Sequence, residues 1–198
     1  MSFNISDPFI IIIIIIFIYI LYIINKKKLT VIETSSNGLK VMVYNDSKKI
    51  TAAELLGEMI KKMFKLRNHL EKNIDKYPEY KEYIELLINN FKEDRTSIYE
   101  NDPSSDLTSF SVNKGEEIAF CLRSKENKQF HKINLLMYVA IHEMAHVACP
   151  EIGHGELFKT VFKFLTLVAI EIGLYILDDY GEHPVEYCGM ILSSSIVQ

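Results

Sequence analysis

Apolar positions recur along this chain with three different periods, and each predicts a different kind of element. From Phe9 to Ile24 sixteen residues carry no charge and are nearly all isoleucine, and Lys26, Lys27 and Lys28 follow at once. Such a run predicts a helix in a bilayer, where only a helix or a closed barrel satisfies every backbone group. It rises about 24 Å at 1.5 Å per residue against a hydrocarbon core of roughly 30 Å, and the lysines can snorkel across the difference. The stretch before Phe9 holds Asp7 and no Lys or Arg, and no small-residue cleavage site follows, so an uncleaved anchor is expected rather than a signal peptide. The positive-inside rule then sets the N-terminus outside and the remaining chain in the cytosol. The expected organisation is an anchor over residues 1–28 and one domain over residues 29–198.

Alternation takes over after the lysines. Leu39, Val41 and Val43 alternate behind the turn signal Asn37-Gly38, which predicts a strand or hairpin between Leu29 and Lys49. Thr51-Ala52-Ala53-Glu54 has the form of a capping box, and Leu56, Met59, Ile60, Met63 and Leu70 then recur at helical spacing, predicting an amphipathic helix to about Asn73. Tyr77-Pro78 breaks that pattern. A second helix is expected from about Glu79 to Phe91, followed by a loop rich in Asp, Ser and Pro. Between Thr108 and Arg123, Phe110 and Val112, then Ile118, Phe120 and Leu122, alternate across Asn113-Lys114-Gly115-Glu116 and predict a β-hairpin. Ser124 to Lys132 is polar and reads as a solvated loop.

Asn134 is placed to cap a helix running to Ala148 that is apolar almost all round, which predicts a buried helix. Another runs from about Glu156 to Ile172, with Leu157, Phe158, Val161, Leu165, Val168 and Ile172 facing inward.

A net charge of −4 and a pI near 5.9 provide no basic excess over the chain, so a dedicated nucleic-acid binder is not expected. Cys121, Cys149 and Cys188 are odd in number and widely spaced, which predicts reduced thiols rather than a disulfide framework or a zinc ribbon. Cys188 is read as a small buried hydrophobe and not as a ligand.

The chemistry lies in the apolar helix. Besides Tyr138, its ionisable groups are His142, Glu143 and His146, and burying them without partners would cost several kcal/mol. Residues four apart share a helical face, so His142 and His146 can present nitrogens to one ion, while Glu143 lies about a third of a turn away, within reach of a metal-bound water. This is the H-E-x-x-H pattern of zinc peptidases, with Zn2+ as the cofactor and Glu143 as general base. Cys149-Pro150 and Gly153 stop the helix and turn the chain, which can return His154 to the metal as third ligand. Glu171 is the rival for that position, and His183 and His131 are read as loop histidines.

His142-Glu143-Met144-Ala145-His146 followed by Gly153-His154-Gly155-Glu156-Leu157-Phe158 resembles the WLM and SprT-like metallopeptidases, small zincins with three histidine ligands, and Phe158 matches the aromatic after their third histidine. The likeness extends to Ser111-Val112-Asn113-Lys114-Gly115, to Cys121-Leu122-Arg123 and to Pro184 through Gly189. It also resembles membrane-anchored WLM-like proteins of large DNA viruses. Seven residues separate His146 from His154, where WLM proteins commonly have fewer and SprT proteins more. The resemblance implies an α+β zincin fold, a sheet edge that aligns a peptide, and protease action; the role of some relatives on DNA-crosslinked proteins is not carried over.

The expected function is therefore a membrane-anchored zinc peptidase acting on a protein or peptide substrate, with Tyr187 a candidate donor to the oxyanion. The alternative is a non-enzymatic membrane interaction protein with a structural metal or none.

Overall fold

The hairpin read around Asn37-Gly38 forms as β1 (Leu29–Glu33) and β2 (Lys40–Tyr44), antiparallel from Leu29 opposite Tyr44 to Glu33 opposite Lys40. This computed structural model describes residues 8–26 and 28–197. Next comes α2 (Lys49–Lys72), whose Leu56, Met59, Ile60, Met63 and Leu70 are buried as their spacing predicts. Two short 3-10 turns around Tyr77-Pro78 lead into α3 (Lys81–Asn90). Strand β3 (Ser97–Glu100) follows, then the hairpin β4 (Phe110–Val112) and β5 (Glu117–Phe120). The chain continues through α4 (Ile133–Ala148) and α5 (Glu156–Glu171) to a small hairpin of β6 (Val185–Tyr187) and β7 (Met190–Leu192).

The main sheet is mixed, in the order β1-β2-β3-β5-β4, with β3 parallel to both β2 and β5. Val41, Val43, Ile98, Ile118 and Phe120 turn inward from it. Helices α2 and α4 contact the sheet, and α4 also meets α2, α3 and α5, which is why its sequence is apolar on every side. Glu100, fully buried on β3, accepts the Tyr44 N–H at 2.7 Å and the Arg123 Nε–H at 2.8 Å, tying β2, β3 and the end of β5 together. Burial pushes its carboxyl up, and the guanidinium offsets part of that.

Several expectations are corrected. Among the described residues no helix is long and apolar enough to cross a membrane. A span needs about 20 apolar residues, and the run from Phe9 to Ile24, in helix α1 (Pro8–Lys26), has only sixteen. The single-pass anchor and the orientation with the N-terminus outside and the domain in the cytosol are therefore withdrawn. Asp7 and Lys27, on which the charge asymmetry drew, lie outside the described residues.

The three cysteines are not all reduced. Cys121 and Cys188 form a disulfide across 67 residues, and Cys149 is free and buried. The end of β5 and the β6–β7 turn are brought within 6.4 Å between Cα atoms only by the tertiary fold, which spacing along the chain does not reveal.

Two predicted caps do not form. Helix α2 begins at Lys49 without a side-chain cap, and Glu54 instead accepts the Ser35 N–H at 2.5 Å and its hydroxyl at 2.7 Å, fastening the β1–β2 turn to the helix. Asn134 lies inside α4, and its amide clamps both backbone groups of Ile176, at 2.8 and 2.9 Å.

Candidate metal centre

Four-residue spacing on α4 sets the His142 and His146 rings 4.8 Å apart between centroids, one helical turn from each other. The helix ends at Cys149-Pro150, and Gly153, with φ of 89°, supplies the left-handed turn that reverses the chain. His154 is thereby carried back to α4. The three Nε2 atoms form a nearly equilateral triangle, 3.2 Å from His142 to His146 and 3.1 Å from His154 to each. Phe158, in the first turns of α5 and 2% exposed, packs on all three rings, with centroids 4.3 Å from His146, 4.8 Å from His154 and 5.0 Å from His142.

Hydrogen bonding among the histidines cannot account for this triangle. A ring nitrogen either donates or accepts, so three nitrogens facing one another leave at least one donor–donor or acceptor–acceptor contact. A single cation held between them would take all three lone pairs. Tetrahedral zinc with Zn–N near 2.0–2.1 Å needs N···N separations of about 3.3 Å, close to those observed. Burial pulls His142 down to about 3 and His146 to about 4, and neighbouring imidazoles add to both shifts, so each ring is neutral at neutral pH with its lone pair free.

Glu143 is 4% exposed, and burial pushes its carboxyl up to about 7 against a hydrogen bond from Ser111. It shares with the histidines a cavity of about 790 Å3 that is also lined by Ser109, Ser111 and Tyr187. Burial, with the nearby Glu143 charge adding to it, raises Tyr187 and keeps its hydroxyl protonated. That hydroxyl bonds Ser109 Oγ, which also accepts the Cys121 N–H at 3.1 Å. β4 borders the cavity and, among the described residues, is an edge strand paired only with β5 in its sheet.

The remaining candidates lie elsewhere. Glu171 ends α5, near Tyr77, outside the convergent histidines. His183 is exposed in the loop before β6. His131 is a loop residue as expected but is buried, its ring 5.0 Å from that of Tyr187 and its pKa lowered by desolvation. Ser109, Ser111 and Lys114 border the cavity and were not singled out from sequence. Ser111 and Lys114 fall within the hairpin segment of the family resemblance, and the period-2 rule places Ser109 on the same face as Ser111.

The WLM domain matches residues 80–171, a span that holds the edge strand and all three histidines. The chain belongs to the WLM family. That membership points to a family of zinc proteases. This WLM chain is 42% identical over 173 residues to an uncharacterized protein of Acanthamoeba polyphaga mimivirus, covering 87% of each. It is 37% identical over 82 residues to an uncharacterized protein of Invertebrate iridescent virus 6, covering 40% of this chain and 44% of that one. The expected likeness to proteins of large DNA viruses is thus borne out. Among solved structures it is similar to Wss1 from Saccharomyces cerevisiae, at 24% identity and a TM-score of 0.35, over 48% of this chain and 78% of that one.

Proposed function

We propose that residues 29–198 form a zincin-like peptidase domain that hydrolyses peptide bonds of a protein substrate, with Zn2+ held by His142, His146 and His154. The observation that carries this reading is the convergence of three Nε2 atoms within 3.2 Å of one another, next to a buried carboxylate on α4, the helix that carries two of the three. When bound, zinc polarises the scissile carbonyl and acidifies a water molecule.

The chain's own groups supply the rest of the chemistry. The outer side of β4 offers backbone N–H and C=O groups to an extended peptide. Glu143 takes a proton from the attacking water onto a carboxylate oxygen and delivers it to the departing amine nitrogen. Tyr187 donates its hydroxyl hydrogen toward the carbonyl oxygen as negative charge builds there. Phe110, Val139 and Leu192 in the cavity wall favour apolar side chains beside the cleaved bond.

A closed site with four side-chain ligands would fit a structural metal in a non-enzymatic interaction protein. Three convergent side chains, among the described residues, leave a fourth position for water, which favours the peptidase. The test is elemental analysis of the purified full chain together with a peptide-cleavage assay of wild type and Glu143→Gln. About one zinc per chain in both, with cleavage lost only in the variant, is the expected result; equal cleavage by both forms defeats it.

A further inference from the structure

The turn between β4 and β5 carries three successive residues with positive φ: Asn113 at 48°, Lys114 at 54° and Gly115 at 100°. Glycine adopts this conformation freely and asparagine tolerates it, but a lysine there is strained, so something holds Lys114 in place. Its Nζ donates to three carbonyl oxygens, Cys149 at 2.6 Å, Glu151 at 2.7 Å and His146 at 3.4 Å. An ammonium has three hydrogens to donate, and here each has an acceptor.

Two of those carbonyls belong to the C-terminal end of α4, where helical carbonyls have no partner within the helix and a cation is favoured. The oxygen of His146 would ordinarily accept from the N–H of residue 150. Residue 150 is proline and has none. Lys114 takes its place. The third carbonyl, that of Glu151, lies on the segment leading to His154. Gly115 brings the turn hard against the same helix end, because a Cβ there would fall 3.0 Å from Val147 Cγ2.

We infer that Lys114 is a positioning residue of the metal centre. Its ammonium fixes the last turn of α4, which carries His146, against the loop that carries His154, and links both to the edge strand that borders the cleft. The inference rests on the reading of the three histidines as zinc ligands. Lys114 itself touches neither metal nor substrate in this role; it sets the separation of two ligands on different segments.

The test measures zinc affinity by chelator competition, and the visible absorption of the cobalt(II)-substituted full chain, for wild type, Lys114→Met, Lys114→Gln and the control Lys159→Met. Lys159 is an exposed lysine of α5 paired with Glu156, so its loss removes a charge without touching the helix end. Expected is a loss of zinc affinity of tenfold or more for Lys114→Met, a smaller loss for Lys114→Gln, which keeps a donor, a changed cobalt(II) band for both, and no change for Lys159→Met. Circular dichroism of each metal-free variant separates a displaced ligand from an unfolded chain, and Lys114→Gln carries the test if Lys114→Met does not fold. Wild type that binds no zinc removes the metal reading itself. Wild-type affinity and spectrum in both Lys114 variants overturn this inference alone.

Discussion

Tyr187 and Ser109 are joined hydroxyl to hydroxyl, although 78 residues separate them, and the same Ser109 oxygen accepts the N–H of Cys121. One serine thus links the β6–β7 hairpin, the approach to β4 and the end of β5 beside the cleft. With its hydroxyl fixed and protonated, Tyr187 is oriented before any substrate arrives. Tyr187→Phe is expected to retain zinc and to lower kcat roughly 100-fold with little change in KM. Full turnover in a steady-state peptide assay removes the tyrosine from the mechanism.

Phe158 is the shared packing surface of the three histidines. Phe158→Ala is expected to destabilise the fold by roughly 3–5 kcal/mol and to weaken zinc binding as well, since each ring loses the surface that holds its rotamer. Phe158→Leu keeps much of the volume and is expected to fall between. Denaturant midpoints and zinc competition on the same samples check both; a stability loss with unchanged metal affinity makes Phe158 a core residue only.

The Cys121–Cys188 link closes a loop of 67 residues that contains α4 and α5. Loop-closure entropy assigns such a link roughly 4 kcal/mol. The Cys121→Ala, Cys188→Ala double variant should therefore unfold at markedly lower denaturant, and adding a dithiol reductant should lower the wild-type midpoint while leaving that of the variant unmoved. An equal response of both proteins contradicts the pairing.

Glu54 predicts a pH dependence. Hydrogen bonds from Ser36 and Ser35 hold its carboxyl down at about 2, below the usual 4.5. A carboxyl depressed by folding stabilises the folded chain fully above its unfolded pKa, and that contribution disappears as pH falls through the folded value. Wild type is therefore expected to exceed Glu54→Gln in stability near neutrality, with the gap closing between about pH 4.5 and about pH 2. Urea melts across that range measure it, and a gap that does not vary with pH contradicts it.

What the sequence disclosed and what it hid divide along one physical line, the distance over which each interaction acts. His142, Glu143 and His146 were legible because helical periodicity places them, and His154 because Pro150 and Gly153 announce a reversal. β3 was missed because a four-residue strand buried between two parallel neighbours has too little alternation to stand out from a polar loop. The β6–β7 hairpin was missed because its two-residue turn, Cys188-Gly189, has cysteine where asparagine or aspartate would give the signal. Glu54 and Asn134 had the right residue types for caps, but each found a stronger partner elsewhere in the chain, Ser35 and Ile176. The disulfide and the Lys114 contacts exist only once distant segments meet.

If the domain is the peptidase proposed above, the brevity of β4 limits what it can cut. Three residues offer an incoming chain only a few main-chain bonds, so the backbone to be held must already be stretched out and free of internal pairing. A segment locked in a helix or in the middle of its own sheet has no spare N–H or C=O groups to give. Cleavage should then fall on loops, tails and partly unfolded polypeptide, and the folding state of the target would act as a selector before any side chain is read.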